Sequence, residues 1–444
     1  MKSQYKIGAG KAEIIITEDM FPYGYGRGPG FTGIHDPLYI RALIVENDTD
    51  RLLMITADLD SFGHIEMWKD KLCGIIEVER DHIFVMHTHN HESIHVRNDK
   101  DDKPEGDEDT ARSEGLVWDA MQRAVADALA ALQPGKICFG TGTCDININR
   151  EFQYLGYYMI GRNPQGPSDK TVAVIRFTDM NDKPLAFFIN YAVHGSVMAE
   201  MESEEILITG DLPGYTSRFV EERYNNEVVA LWTSGAAGNQ DAKYRATRYA
   251  FDANGVLYRY NVGEQGFALC DMQARDLAEE VIRVATEVMG EGQAEGELRC
   301  IQTVCNVPGK MKKGQGRPDF KNMPPPDMSV VRPEGMMMKD VDINHANGNP
   351  VDVQVGLIVI GDTALSCYSG EETYTLGKMA QSALADKFEN VVVVAHTNGY
   401  IGYMSEESGF DRRVRSALVS LLARGYAEKV VVETPVKLAE ALGY

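Results

Sequence analysis

Residues 83–93 read IFVMHTHNHES, an apolar run that gives way to three histidines on alternate positions. Ile83-Phe84-Val85-Met86 is too short for a helix and reads as a buried strand. Side chains alternate along a strand with period two, so a strand that continued would turn His87, His89 and His91 to one face. Imidazole is the commonest metal ligand near neutral pH, and two rings on one face can share an ion. A polar cluster at a strand end or a surface loop would give the same letters. Further ligands are needed before a metal is inferred.

Working outward, LYIRALIVENDTDRLLMITADLDS (38–61) reads as two strands around the polar turn Glu46–Arg51. NDKDDKPEGDEDTARSEG (98–115) is too charged to bury and reads as a solvated loop. It leads into a helix over about 114–132, with Leu116, Met121, Val125, Leu129 and Leu132 at helical spacing. KICFGTG (136–142) reads as a strand, and TVAVIRF (171–177) with LAFFINYAVHG (185–195) as a hairpin turning at Asp179–Lys183. A helix is predicted over 213–224 before the strand VVALWTSG (228–235), and a second over 271–289. The tyrosine-rich YRATRYAFDANGVLYRYNVGEQG (244–266) reads as an extended loop. The segment from about 308 to 350, rich in Pro, Gly and Met, reads as a long loop of the kind that forms lids or substrate walls. VQVGLIVIGD (353–362), a helix over 373–387, VVVVAHT (391–397) and a final helix near 411–424 complete the pattern. Alternating strands and helices with no clean linker argue one α/β domain over residues 1–444. Its core is a single large mixed sheet flanked by helices, with long loops at about 97–113, 243–268 and 308–350.

Composition sets bounds on function. The chain of 444 residues is 44% hydrophobic and 25% charged, ordinary for a globular protein. No apolar stretch approaches a membrane span, and MKSQYKIGAGKAEIIITEDM lacks the apolar core of a secretion signal. Seven irregularly spaced cysteines without a CxxC oppose both a disulfide framework and a thiolate metal site, so a reduced cytoplasm is expected. A net charge of −22 disfavours nucleic acid and anionic membranes as partners. A homo-oligomer is compatible with all of this. The glycine-rich YGYGRGPGFTG (23–33) has no strand–glycine–helix order around it and reads as an active-site rim rather than a nucleotide loop.

Other polar residues stand where apolar strands end. His194 follows FFINYAV, Glu371 lies in SCYSGEET, and Tyr400 and Tyr403 lie in HTNGYIGYM. Each alone has an ordinary structural explanation. Their order is informative, because THNHES, NYAVHGSVM, GDLPGY, GAAGNQD, SGEE and TNGYIGY resemble successive signatures of the neutral, non-lysosomal ceramidases and their bacterial relatives. TGIHDPLYIRALIVE, GTGTCDININREF and NPQGPSDKTVAVIRF add to the resemblance, which runs from about residue 5 to about residue 425.

The resemblance implies a neutral-ceramidase-like α/β catalytic domain holding one zinc ion through two histidines, a glutamate and a tyrosine. Carried onto this chain, the ligands are His89, His194, Glu371 and Tyr403, with a register that uses His87 instead of His89 left open. Ser369 stands where proline is usual before the glutamate. His91 becomes the substrate-facing histidine that protonates a leaving amine with a pKa near the working pH. Arg150 faces the substrate, and Arg150 or Tyr400 holds a substrate oxygen. Such a ligand set leaves zinc an open position for an activated water.

The chain also departs from the family. Asp241, in Gly238-Asn239-Gln240-Asp241-Ala242, stands where a serine is usual, which favours metal-activated water and leaves Asp241 as a base or a substrate contact. The immunoglobulin-like C-terminal domain is not expected. Asp, Asn and Gln near the site suit a small soluble polar substrate, such as an N-acyl amino acid or amino sugar, better than membrane ceramide. The expected function is therefore zinc-dependent hydrolysis of an amide bond. A metal-dependent carbohydrate enzyme and a non-catalytic ligand-binding relative are the alternatives.

Overall fold

The computed structural model describes residues 3–23, 30–96, 108–199, 205–310, 331 and 333–444. Eight strands form the main sheet in the order Val229–Ser234, Pro184–Tyr191, Thr171–Asp179, Gln133–Thr143, Lys6–Glu13, Tyr39–Glu46, Arg51–Ala57 and Ile83–His87. Both edge strands run parallel to their neighbours, and every interior pair is antiparallel. A second sheet has four strands, Leu298–Val307, Val351–Ile360, Thr363–Tyr368 and Asn390–Val394, the last pair parallel.

Period-two alternation explains how these elements layer. Leu43, Val45, Phe84 and Met86 of the main sheet share a buried cluster with Ile358, Leu365 and Val394 of the second, so the two sheets face each other. The alternate residues Ile40, Ala42 and Ile44 pack under Val117, Met121 and Val125 of helix Glu108–Ala130. That helix approaches closely because a Cβ at Gly8 or Gly10 would come within 2.1 Å of its main-chain oxygens. On the far side, Val355, Leu357 and Val359 pack under Val430 and Val431 of helix Tyr426–Leu442. The result is a helix–sheet–sheet–helix stack, the α/β mixed-sheet class expected from the sequence.

Several readings change. The 244–266 segment contains an antiparallel hairpin, Thr247–Phe251 with Leu257–Asn261, whose turn is closed by Asp252 accepting from the Asn254 and Val256 amides. The charged segment after the histidines becomes helical from Glu108; residues 97–107 lie outside the described residues, as do 24–29 of the expected rim loop and 311–330 and 332 of the long loop. The last stretch folds as two short helices, Glu407–Arg412 and Arg415–Val419, before the unforeseen helix Tyr426–Leu442. All seven cysteines are free. No helix among the described residues is long and apolar enough to cross a membrane.

Strands Ile83–His87 and Asn390–Val394 end side by side, and Asn398 joins them. Its Oδ1 accepts from the Val85 amide at 2.8 Å, and its own amide donates to the Val85 carbonyl at 2.8 Å. Its Nδ2 donates to Gln302 Oε1 at 2.9 Å in the second sheet. This lays the 395–404 loop across the end of the His87 strand.

Candidate metal centre

The strand that carries the histidines ends at His87. His89 has a φ of 55°, so the chain turns there and the pleat does not set the directions of the three rings. They nevertheless converge. Among the described residues, two all-histidine groups bring their ligand atoms within 4.8 Å of one another, His87 with His89 and His396, and His89 with His91 and His194. His89 belongs to both. His396 escaped the sequence reading, although VVVVAHT repeats the apolar-strand-then-histidine signal of IFVMHTH.

Each ring is oriented by its surroundings. Strand Pro184–Tyr191 delivers His194 over the 235–240 loop, where its amide donates to the Gln240 carbonyl at 3.1 Å. His194 Nδ1 lies 2.8 Å from the Ala237 carbonyl, so that nitrogen carries the proton and Nε2 keeps its lone pair. His89 follows the same rule, with Nδ1 3.2 Å from the Asp60 carbonyl and 3.3 Å from its carboxylate. Both Nε2 atoms face one carboxylate oxygen. Glu371 Oε2 is 3.0 Å from His194 Nε2 and 3.6 Å from His89 Nε2.

Glu371 sits in a two-residue strand, Glu371–Glu372, paired in parallel with Tyr403–Met404 so that Glu371 stands opposite Tyr403. Gly238 permits this. A Cβ there would come within 2.5 Å of the Glu371 carbonyl, while its amide donates to the Glu372 carbonyl at 2.7 Å. The Tyr400 hydroxyl donates to Glu371 Oε1. Arg150 Nη2 donates to Tyr403 Oη at 2.7 Å, to the Gly238 carbonyl at 2.8 Å and to His194 Nε2 at 3.1 Å.

Charge states follow from burial and these contacts. Burial, and then the Arg150 guanidinium, pulls His194 down to about 4, so its ring is neutral. Burial alone would raise Glu371, but the neighbouring His89 ring and then His194 outweigh it and hold the carboxyl well below its usual range. His91 is also held well below its usual value, by desolvation and then by His89 and His194. The neutral-range titration expected for it from the sequence is therefore absent in this arrangement. Its Nε2 is buried without a hydrogen-bond partner. Asp241 accepts from Ser196 Oγ and Arg245 Nη1, each at 2.8 Å, and lies 3.6 Å from Arg150 Nη1. Burial opposes its ionisation, yet Arg245 and then Arg150 keep it an anion.

Two imidazole lone pairs and an ionised carboxylate oxygen on one point make a donor set suited to a zinc-like divalent cation. The site residues expected from the sequence are thus gathered: His89, His194 and Glu371 at the centre, Tyr403 and Arg150 on one side, Tyr400 on Glu371, and His91 beside His89. Asp241 stands behind the group, 3.6 Å from Arg150 Nη1. Asp60 and Arg415, the latter acting on Tyr403 from helix Arg415–Val419, were not singled out.

The fold is an α/β sandwich that gathers histidines and a buried glutamate around its strand ends. A family model, "Neutral/alkaline non-lysosomal ceramidase, N-terminal", matches residues 5–242, and the chain belongs to that family. Neutral ceramidase of Drosophila melanogaster is 26% identical over 358 residues, covering 69% of this chain and 48% of that protein. Neutral ceramidase of Drosophila pseudoobscura pseudoobscura is 25% identical over 329 residues, covering 66% and 44%. The chain thus spans about half the length of these curated relatives. The crystal structure of neutral ceramidase from Pseudomonas aeruginosa superposes with a TM-score of 0.68 at 17% identity, over 99% of this chain and 75% of that one, which shows a shared fold.

Proposed function

We propose that this protein is a zinc-dependent hydrolase that cleaves the amide bond of a small polar N-acyl compound. The observation that carries the reading is the convergence of His89 Nε2 and His194 Nε2 on Glu371 Oε2, with both Nδ1 atoms committed to main-chain carbonyls. His89, His194 and Glu371 would hold the ion, with Tyr403 beside them. A bound zinc lowers the pKa of a coordinated water and polarises a carbonyl. The chain supplies the rest. Arg150, placed beside His194 and Tyr403, supplies the positive charge that can steady a carbonyl oxygen as it gains negative charge. His91, with Nε2 uncommitted, handles the proton that the leaving amine requires. Asp241 is tied to Arg245 and Ser196 and serves as the anchor for Arg150 rather than as a nucleophile.

The test is amine release from a panel of N-acyl amino acids, N-acyl amino sugars and short-chain ceramide, with zinc supplied. Amine from the small polar members, abolished in Glu371→Ala, supports the reading. Amine from ceramide alone makes the substrate a lipid. Reducing ends or unsaturated sugars from carbohydrate controls, with no amine, make the protein a carbohydrate enzyme.

A further inference from the structure

His87 and His396 take no part in the centre formed by His89, His194 and Glu371, yet the chain carries both to it and buries each to 1% exposure. Main-chain contacts fix the pair at adjoining strand ends. Met86 bridges to Thr397, and the His87 amide donates to the His396 carbonyl at 3.3 Å. The chain turns at His396 with a φ of 55°, as it does at His89, and the two rings stack at 4.5 Å. The His87 and His396 rings lie 4.9 Å apart, and His396 Nδ1 is buried without a hydrogen-bond partner. Burying a polar atom in that way costs free energy that a bound cation would offset. A tetrahedral zinc holds its donors about 3.3 Å apart, so donors within 4.8 Å share an ion after a small side-chain shift.

His89 joins this group in space but has one lone pair to give. Its Nδ1 is held by Asp60, and its Nε2 faces Glu371 Oε2. A second ion therefore needs another ligand, and Glu371 has a second oxygen. Glu371 Oε1 accepts from Tyr400, whose ring lies 5.7 Å from that of His87 and 6.1 Å from that of His396. A carboxylate that gives one oxygen to each of two ions suits the spacing of about 3.5–4 Å found in two-metal centres.

We propose that His87 and His396 form a second, weaker divalent-cation site beside the first, with Glu371 shared between the two. Two imidazoles and half of a carboxylate hold this ion less firmly than the first, so it exchanges with the medium. The second site rests on the metal centre and not on the choice of bond that the protein cleaves.

The test is equilibrium dialysis of the full chain against rising zinc, with zinc counted per chain before and after desalting. The wild type should reach about two ions at saturation and keep about one through desalting. His396→Asn, whose asparagine accepts the left-handed φ, and His87→Gln should each lose the exchangeable ion and keep the tight one. The retained ion and an unchanged circular dichroism spectrum show that each variant is folded, and either variant suffices if the other fails to fold. A wild type that saturates at one tight ion overturns the second site and leaves the first standing. An exchangeable ion that survives both substitutions is held elsewhere on the surface and overturns it too. A folded variant that loses the tight ion puts that ion among the three histidines, which overturns both the proposal and the assignment of the first centre. Two ions with no amine released from any N-acyl compound overturn the hydrolase reading alone.

Discussion

Asn398 and Val85 exchange two hydrogen bonds across the join between the two sheets, Val85 N to Asn398 Oδ1 and Asn398 N to Val85 O, each 2.8 Å. Asn398 does this at a φ of 55°, which asparagine tolerates better than most residues. Asn398→Ala leaves the buried Val85 amide without its acceptor and should cost about 1–3 kcal/mol. Asn398→Asp keeps that acceptor but sets a buried carboxylate against Gln302 Oε1 and the Ile83 carbonyl, and should cost at least as much as Asn398→Ala. Urea unfolding midpoints measure both. An alanine variant as stable as the wild type would mean that the loop is held by other contacts.

The ligand role of His89 and the proton-handling role of His91 separate by mutation. His89 Nε2 faces Glu371 Oε2, whereas the histidine two positions on keeps an uncommitted Nε2. His89→Ala should therefore lose bound metal. His91→Ala should keep it while turnover falls about 100-fold, the usual scale of a lost general acid or base. Metal analysis and amine-release rates on the same preparations decide the matter. Metal lost equally from both variants would make His91 a ligand.

Lys310 offers a pH test away from the centre. Its ammonium is buried, donates to the Ala417 and Leu418 carbonyls at 2.6 and 2.9 Å, and is pulled down to about 7 by burial and then by Arg413. A folded-state value below that of the unfolded chain means that the native state releases this proton first. Stability should then rise with pH between about 7 and the ordinary lysine value near 10.4, while below 7 the penalty is constant. Lys310→Met removes that rise. Unfolding midpoints of the two proteins, compared from pH 6 to 9, should show the variant losing ground above pH 7; a constant difference would place the lysine's proton outside this linkage.

Much of this was legible in the letters because apolar strands announce their ends. IFVM, FFINYAV and LIVIGDTALSC are each followed by a residue that the fold brings to the centre, His89, His194 and Glu371. The directions of those residues were not legible. Period two predicts a common face for the three histidines, but the left-handed turn at His89 orients them, and nothing local in THNH encodes it. The hairpin within 244–266 was missed because its mostly half-buried tyrosines and arginines obscure the alternation, although DANG is a turn signal. Helix Tyr426–Leu442 carries Pro435 and went unread. His396 and Arg415 join the site only through the loop that Asn398 fixes and the short helices after it, contacts that span hundreds of residues.

The central claim is that His89, His194 and Glu371 hold a divalent cation, and elemental analysis of tag-free protein tests it most directly, wild type beside His194→Ala. The wild type should carry about one zinc per chain, as expected for a centre with two imidazoles and a carboxylate, and the variant should lose it. A wild type that binds no metal after zinc is supplied and excess is removed, or a His194→Ala variant that keeps a full complement, would contradict the account.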